Sequence, residues 1–155
     1  MAQSVFERIE HLLQQHGAEY RVLRHEPVYT SEEAARIRGT PLASGAKALI
    51  CKGDETFVLF VLPADRKLDS GAARRAHGWR KLRFASREEV LSLTGLTAGS
   101  IPPFGSLFGL PTLCDRRLGY NETINFNAGD HAISVSLRYS DYVQAERPQL
   151  GLFAE

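Results

Sequence analysis

The chain has 155 residues, of which 43% are hydrophobic and 24% are charged, and its formal net charge is +1. This length fits one domain with one core, and the composition excludes a disordered or fibrous protein. No apolar run is long enough to span a bilayer, and the nearly neutral charge excludes a generic polyanion-binding protein.

Capping boxes predict three helices. In each of them a Ser or Thr precedes a Glu by three residues, apolar residues follow at helical spacing, and a glycine marks the end. The predicted helices run from Ser4 to Gly17, from Thr30 to Gly39 and from Ser86 to Gly95. We expect the first one to be an amphipathic helix and not a signal peptide, because acidic residues interrupt its apolar positions. A weaker helix is predicted over Asp69 to His77, and a short one after Ser140.

Short strands are predicted between these helices. Two apolar runs separated by Gly53-Asp54-Glu55 indicate a hairpin, and a second hairpin is predicted around Ala128-Gly129-Asp130. The predicted strands are Tyr20 to His25, Ala46 to Lys52, Thr56 to Leu62, Trp79 to Phe84, Leu107 to Leu110, Thr112 to Cys114, Thr123 to Asn127 and Ala132 to Arg138. These elements predict a mixed α/β (α+β) single domain over 1–155 with about four helices. We expect residues 147–155 to form a loosely held tail.

Several common catalytic signatures are missing from the chain. There is no G-x-S-x-G, H-E-x-x-H or G-x-x-x-x-G-K-[ST] sequence, and the five histidines share no metal-ligand spacing. The sequence therefore predicts neither a metal nor a cofactor. Cys51 and Cys114 form no CxxC, and without a signal peptide we expect a cytoplasmic protein with both thiols reduced and buried.

Seven basic residues and one acid lie between Arg66 and Arg83. Such a segment could steer a phosphate backbone towards a site, or it could be the solvated face of a helix. The pattern alone leaves both interpretations open. The residues of interest for RNA binding are Arg74, Arg75, Arg80 and Lys81.

Three further features could carry chemistry. Lys47 interrupts an apolar strand, so it either reaches solvent at an edge or faces a cavity. The glycine- and proline-rich segment from Gly95 to Gly105 could aim backbone N–H groups at a ligand, or it could be a stiff connection. The segment from Asn125 to His131 is either an ordinary turn or a turn that presents a histidine.

In this order and at these separations, the three features resemble the YbaK/ProX family of aminoacyl-tRNA editing domains, which also occurs as an insertion in bacterial prolyl-tRNA synthetases. Lys47 matches the family's strand lysine, and Gly95 to Gly105 matches its G-x-x-x-G-x-x-[ST]-P-[FL]-G loop. The resemblance covers Val5 to Tyr142 and implies a barrel-like mixed sheet. Ile101 and Pro102 stand where many relatives have a small residue, which leaves the cognate amino acid open.

The resemblance also implies an enzyme that hydrolyses the ester of a misacylated tRNA, such as a proline tRNA that carries alanine or cysteine. The tRNA, bound by its CCA end, and an aminoacyl-tRNA synthetase are then the expected partners, and neither DNA nor a membrane is. The roles carried over are catalytic for Lys47, Gly99, Gly105 and Gly129, and substrate-binding for Tyr29, Thr30, Ser100, Pro102, Pro103, Phe104, Asn127 and His131.

Two other functions stay open on the sequence alone. A module that binds a CCA end or a synthetase without turnover would keep the same basic segment. A hydrolase of another small acyl ester would act without regard to the RNA portion of its substrate.

Overall fold

A computed structural model describes residues 3–155, which contain five α-helices. Three of them begin at the predicted capping boxes, in which the Ser or Thr side chain accepts the N–H of the Glu and the Glu side chain accepts the N–H of the Ser or Thr. None of the described helices is long and apolar enough to pass through a membrane. The helices are α1 Val5–Gln15, α2 Ser31–Arg38, α3 Ser70–His77, α4 Arg87–Thr94 and α5 Tyr139–Glu146.

Within residues 3–155, eight strands form two sheets. Three strands follow the order β1-β7-β6, and five follow the order β4-β2-β3-β5-β8. Both predicted hairpins are confirmed as antiparallel pairs, β2 with β3 and β6 with β7. The strands are β1 Tyr20–Arg24, β2 Ala46–Gly53, β3 Thr56–Pro63, β4 Leu82–Phe84, β5 Thr112–Asp115, β6 Thr123–Asn127, β7 Ile133–Arg138 and β8 Gln149–Gly151.

The mixed α/β domain is confirmed, but the sheet does not close into a barrel. The two sheets meet through a single parallel bridge between Gly45 and Asn125. A barrel requires a continuous ladder around the whole sheet, and one bridge leaves two separate sheets with free edges. This bridge places the start of β2 beside β6, next to the cavity described below.

Two predicted strands differ in the structure. The apolar run Leu107 to Leu110 contributes to a 3-10 helix, Gly105–Phe108, which ends at Gly109 with φ +70°. A short buried turn and a short buried strand have the same apolar pattern, so periodicity does not separate them. The strand predicted from Trp79 begins only at Leu82, because the N–H groups of Arg80 and Lys81 donate to the Asp54 side chain and not to a neighbouring strand.

The C-terminal segment also differs from the loose tail expected at 147–155. Strand β8 pairs in parallel with β5. The buried Asp115 carboxylate accepts the backbone N–H groups of Phe153 and Ala154, each at 2.7 Å. Phe153 packs edge-on against Phe60, with ring centroids 5.4 Å apart. Backbone pairing and a buried aromatic ring together hold this segment in place.

Two hydrophobic clusters flank β2 and β3. The larger one contains Ala46 and Ile50, and the smaller one contains Cys51. Because side chains alternate along a strand, Lys47 shares its face with Cys51 and lies at the end of the smaller cluster.

Candidate functional site

A cavity of about 330 Å³ lies between α2, the first half of β2, the 98–101 loop and the end of β6. Apolar side chains form most of its wall, seven of them alanines, and five polar residues interrupt them. The polar residues are Thr30, Ser31, Arg38, Lys47 and Asn127; Tyr29, Phe84 and Gly99 also contribute to the lining.

Lys47 enters this cavity as a half-buried ammonium. Its Nζ donates to the carbonyl of Arg66. Burial lowers the pKa of Lys47, and the nearby carboxylates of Glu32 and Asp65 partly oppose that shift. An ammonium has three donors, so two N–H groups remain for a ligand after the bond to Arg66.

The 97–101 loop presents Gly99 to the same cavity. Gly99 has φ +92°, a conformation that favours glycine. Its carbonyl accepts the Asn127 side-chain N–H at 2.6 Å, whereas its own N–H has no protein acceptor within residues 3–155. The loop therefore offers a free backbone donor at the cavity wall, as an oxyanion site requires.

His131 lies behind the lining and fixes two parts of it. Its ring packs at 4.7 Å on the ring of Tyr29, Nδ1 lies 3.1 Å from the Val28 carbonyl, and Nε2 lies 3.1 Å from Thr97 Oγ1. Because a carbonyl only accepts, Nδ1 carries the proton. His131 thus positions Tyr29 and the 97–99 segment and does not itself line the cavity.

The remaining residues carried over from the Gly95–Gly105 motif and the late turn do not line the cavity. The Gly105 N–H donates to Thr112 Oγ1 at 2.8 Å, and the Gly129 N–H donates to the Ser100 carbonyl at 2.9 Å. A Cβ on Gly129 would lie 2.7 Å from Val5. Both glycines therefore allow close packing, and neither has a free N–H. The buried residues Ser100, Pro102, Pro103 and Phe104 also lie outside the lining.

Phe104 belongs to the core instead. Its ring is fully buried and contacts Phe126 and Tyr142 edge-on at 5.4 and 5.3 Å. The Tyr142 hydroxyl donates to the carbonyl of Pro103 at 2.7 Å. The proline segment is thus anchored to α5, and this anchor supports the loop that carries Gly99.

The basic residues Arg74, Arg75, Arg80 and Lys81 are all exposed and lie outside the cavity. Within residues 3–155 none of the four forms an ion pair. Strand β4 leads from Lys81 to Phe84, whose side chain lines the cavity while 59% of the residue is exposed. Of this segment, Phe84 is thus the residue that reaches the cavity lining.

Sequence reasoning missed Arg38, the last residue of α2. Its Nε donates to Ser134 Oγ and its Nη2 donates to Asn127 Oδ1, both at 2.8 Å. Burial lowers the pKa of Arg38 to about 10, and within the described chain no carboxylate pairs with it. A basic residue in the last turn of a helix is ordinary, so the sequence held no signal for this role.

Neither cysteine is a candidate nucleophile. Burial raises the pKa of Cys51 and of Cys114 to about 12, so both stay protonated thiols near neutral pH. The cavity is instead rich in donors, which suits a ligand that presents acceptor oxygens, such as an ester beside a ribose and a phosphate.

The chain is similar in sequence and fold to known proteins. The aminoacyl-tRNA editing domain family matches residues 25–145. The multifunctional Ser/Thr-tRNA deacylase ProXp-y of Escherichia coli K12 is 40% identical over 149 residues, which are 93% of this chain and 89% of that protein. The prolyl-tRNA editing protein ProX of Acetoanaerobium sticklandii is 30% identical, over 79% of this chain and 78% of that protein. A solved structure described as a candidate trans-editing enzyme for prolyl-tRNA synthetase superposes with a TM-score of 0.87 at 25% identity, over 100% of this chain and 99% of that chain.

The match also extends to synthetases. The proline–tRNA ligase of Shouchella clausii is 35% identical over 68% of this chain, a stretch that makes up 19% of the ligase. The chain therefore belongs to the aminoacyl-tRNA editing domain family, and its activity is that of an aminoacyl-tRNA deacylase.

Proposed function

We propose that this deacylase removes small amino acids, serine and threonine first among them, from tRNAs that carry them wrongly. One observation carries the proposal: the cavity that joins Lys47 to Gly99 has an apolar wall with seven alanines, and hydrogen-bond donors interrupt it. Such a wall leaves room for a short side chain and offers partners to a hydroxyl group. The 40% identity to a protein named as a Ser/Thr-tRNA deacylase supports the same substrates.

Alanine and cysteine on a proline tRNA, the substrates expected from the sequence, also fit a cavity of this kind. If two side chains differ by one methylene, an apolar pocket favours one of them by only about 1–3 kcal/mol in transition-state binding. We therefore propose overlapping substrates, with a preference set by polar contacts more than by size. The reaction would take place in the cytoplasm, where charged tRNAs are used.

Lys47 and Gly99 have separate roles in the proposed reaction. The two free N–H groups of Lys47 hold the ribose or a terminal phosphate by charge-assisted hydrogen bonds. The Gly99 N–H polarises the ester carbonyl as negative charge develops on its oxygen. Water, activated by the neighbouring ribose hydroxyl, attacks the carbonyl carbon. The bond to the ribose oxygen breaks, that oxygen takes up the proton, and free amino acid and tRNA leave.

The tRNA would approach across the exposed surface beside the cavity. Tyr29 and Phe84 line the cavity and are 69% and 59% exposed, so bases of the single-stranded CCA end can stack on them. Arg74, Arg75, Arg80 and Lys81 would contact phosphates further along the acceptor stem. A synthetase that releases the misacylated tRNA is the proposed partner.

A deacylation panel tests the proposal. Seryl, threonyl, alanyl, cysteinyl and prolyl esters of one tRNA are incubated with the wild type, with Lys47→Ala and with Lys52→Ala. Lys52 is the matched control, because it lies on the same strand and pairs with exposed Glu55. We expect Lys47→Ala to lose about 10- to 100-fold in kcat/KM, the range for hydrogen bonds to a charged group, and Lys52→Ala to keep the wild-type rate. A wild type that binds the CCA end and hydrolyses no ester would establish a binding module instead.

A further inference from the structure

The guanidinium of Arg38 is a partly buried cation in the cavity wall without a counter-ion among residues 3–155. Its two contacts, Ser134 Oγ and Asn127 Oδ1, are neutral acceptors. A buried charge that is satisfied only by neutral groups is unfavourable. Perturbed charges in clefts are frequent at functional sites.

A chain of hydrogen bonds holds Arg38 in this orientation. His25 Nδ1 donates to the Glu26 carbonyl at 2.7 Å, so in the neutral ring Nε2 accepts from Ser134 Oγ at 2.8 Å. The Ser134 oxygen in turn accepts from Arg38 Nε. Because every donor and acceptor in this chain has a defined direction, the plane of the guanidinium is fixed before any ligand binds.

One nitrogen of Arg38 is left over. Nη1 has no hydrogen-bond acceptor within residues 3–155. In the described chain, the only side-chain N or O that is both fully buried and without a partner is His77 Nε2. Nη1 of Arg38, which also lacks a partner, is therefore accessible to solvent. Nη1 lies beside Gly45, 3.9 Å from where a Cβ would stand, and both residues line the cavity. The free donor therefore lies beside a residue of the cavity lining.

We propose that Arg38 is the specificity-determining residue of this site, and that its Nη1 donates to the side-chain hydroxyl of a seryl or threonyl ester. This inference rests on the proposed function. A guanidinium only donates, so its ligand must present an acceptor, and among small side chains serine and threonine have one. The surrounding alanines leave room for the threonine methyl group.

The position of Arg38 favours a hydroxyl over a phosphate. Lys47 lies among charged neighbours, namely Glu32, Asp65 and Lys67, as expected at a solvated cavity mouth. The contacts of Arg38 are the neutral oxygens Ser134 Oγ and Asn127 Oδ1, so its surroundings are less charged than those of Lys47. A site built to hydrogen-bond a hydroxyl rejects the analogue that lacks it much more strongly than an apolar pocket does.

The test compares seryl, threonyl and alanyl esters of one tRNA with the wild type, Arg38→Met, Arg38→Lys and Arg36→Met. Arg36 is the matched control, an exposed arginine on the same helix. For Arg38→Met we expect kcat/KM to fall about 10- to 100-fold more for the seryl and threonyl esters than for the alanyl ester, the range for one hydrogen bond to a charged group. Arg38→Lys keeps a cation and should recover part of this selectivity, and Arg36→Met should keep all of it.

Each alternative result has a distinct meaning. An equal loss on all three esters would overturn the specificity role and make Arg38 a phosphate contact or a support for Asn127. Unchanged selectivity in Arg38→Met would also overturn it. A wild type that hydrolyses only the alanyl ester contradicts this inference but leaves the deacylase function standing, whereas one that hydrolyses none contradicts both. Thermal unfolding of each variant confirms that it is folded, and Arg38→Lys gives the answer if Arg38→Met is not.

Discussion

Asn127 holds the carbonyl of Gly99 in place through a 2.6 Å hydrogen bond from its side-chain N–H. The other end of the same amide accepts from Arg38 Nη2 at 2.8 Å. One short side chain therefore links the guanidinium in the cavity wall to the loop that presents the free Gly99 N–H. The orientation of that donor depends on an amide, which both donates and accepts.

The Asn127→Asp variant should separate activity from stability. A carboxylate pairs with Arg38 but cannot donate to the Gly99 carbonyl and repels it, so we expect deacylation to fall about 10-fold or more while the melting temperature stays close to that of the wild type. Asn121→Asp is the control, because Asn121 donates to the Ala43 and Leu118 carbonyls away from the cavity. That change should lower stability and leave turnover unchanged. Full activity in Asn127→Asp would contradict the role given to the Gly99 loop.

Gly99→Ala should damage the site more than an equivalent change elsewhere. Gly99 has φ +92°, and a Cβ would lie 3.4 Å from His131 Cε1. The backbone strain costs about 1 kcal/mol, and a shift of the loop that relieves this strain would move the Gly99 N–H. Gly109→Ala is the matched control, since Gly109 has φ +70° with nothing within 4 Å. We expect similar losses in the free energy of unfolding, measured with urea, but a loss of deacylation only in Gly99→Ala.

The alkaline limb of the pH–rate profile should reflect the deprotonation of the Lys47 ammonium. Burial lowers the pKa of Lys47 below its ordinary 10.5, so the ammonium is lost as the pH rises through this lowered value. Enzymatic deacylation, corrected for spontaneous ester hydrolysis, should therefore decline at a pH below 10.5. In Lys47→Arg the cation persists, and the limb should disappear even if the rate is lower. Lys52→Arg should leave the limb in place, and a limb that survives in Lys47→Arg would assign it to another group.

Asp115 should be the anchor of the C-terminal segment. Its buried carboxylate accepts N–H groups of Arg117, Phe153 and Ala154 and lies 3.5 Å from the Arg117 guanidinium. Asp115→Ala leaves these donors unpaired, and we expect a loss of about 3–5 kcal/mol in the free energy of unfolding and faster proteolysis after Arg147. Asp141→Ala, which breaks a more exposed pair with Arg138, should cost less than about 1 kcal/mol. Equal losses in the free energy of unfolding of the two variants would mean that the anchoring of β8 contributes little to stability.

The sequence predicted local structure well wherever both partners lie within a few residues of each other. Each capping box joins residues three apart, as in Ser86 with Glu89, and each predicted hairpin closes over a short turn. Such signals are complete inside a short window. The helix starts and both hairpins could therefore be predicted without any knowledge of tertiary contacts.

The site was predictable only in part, because long-range contacts build it. Lys47 and Gly99 were found from their motifs, and both line the cavity. The same motifs also pointed to Gly105, but spacing does not reveal that its N–H already has an acceptor in Thr112. Arg38 gave no signal, since its partners Asn127 and Ser134 lie 89 and 96 residues away.

Glu146 should make stability depend on pH in the direction opposite to an ordinary ion-paired carboxylate. Ser106 and Thr112 hydroxyls and the Ser106 N–H donate to its carboxylate. Burial is the larger effect and raises the pKa of Glu146 above its ordinary 4.5. Below pH 4.5 the group is protonated in both the folded and the unfolded chain. As the pH rises, Glu146 ionises first in the unfolded chain, at its ordinary pKa, and only later in the folded chain, at the raised pKa. Between these two pKa values the contribution of Glu146 to the free energy of unfolding is progressively lost.

Glu146→Gln tests this relationship. The amide keeps an oxygen that accepts from Ser106 and Thr112 and cannot ionise, so the variant should gain stability relative to the wild type as the pH rises above 4.5. Urea unfolding of both proteins at several pH values from 4 to about 8 measures the difference. Glu88→Gln, at an exposed position of α4, should leave the profile unchanged. If instead the wild type gained stability relative to Glu146→Gln with rising pH, the hydrogen bonds from Ser106 and Thr112 would outweigh burial, and the carboxylate would be the favoured form at this position.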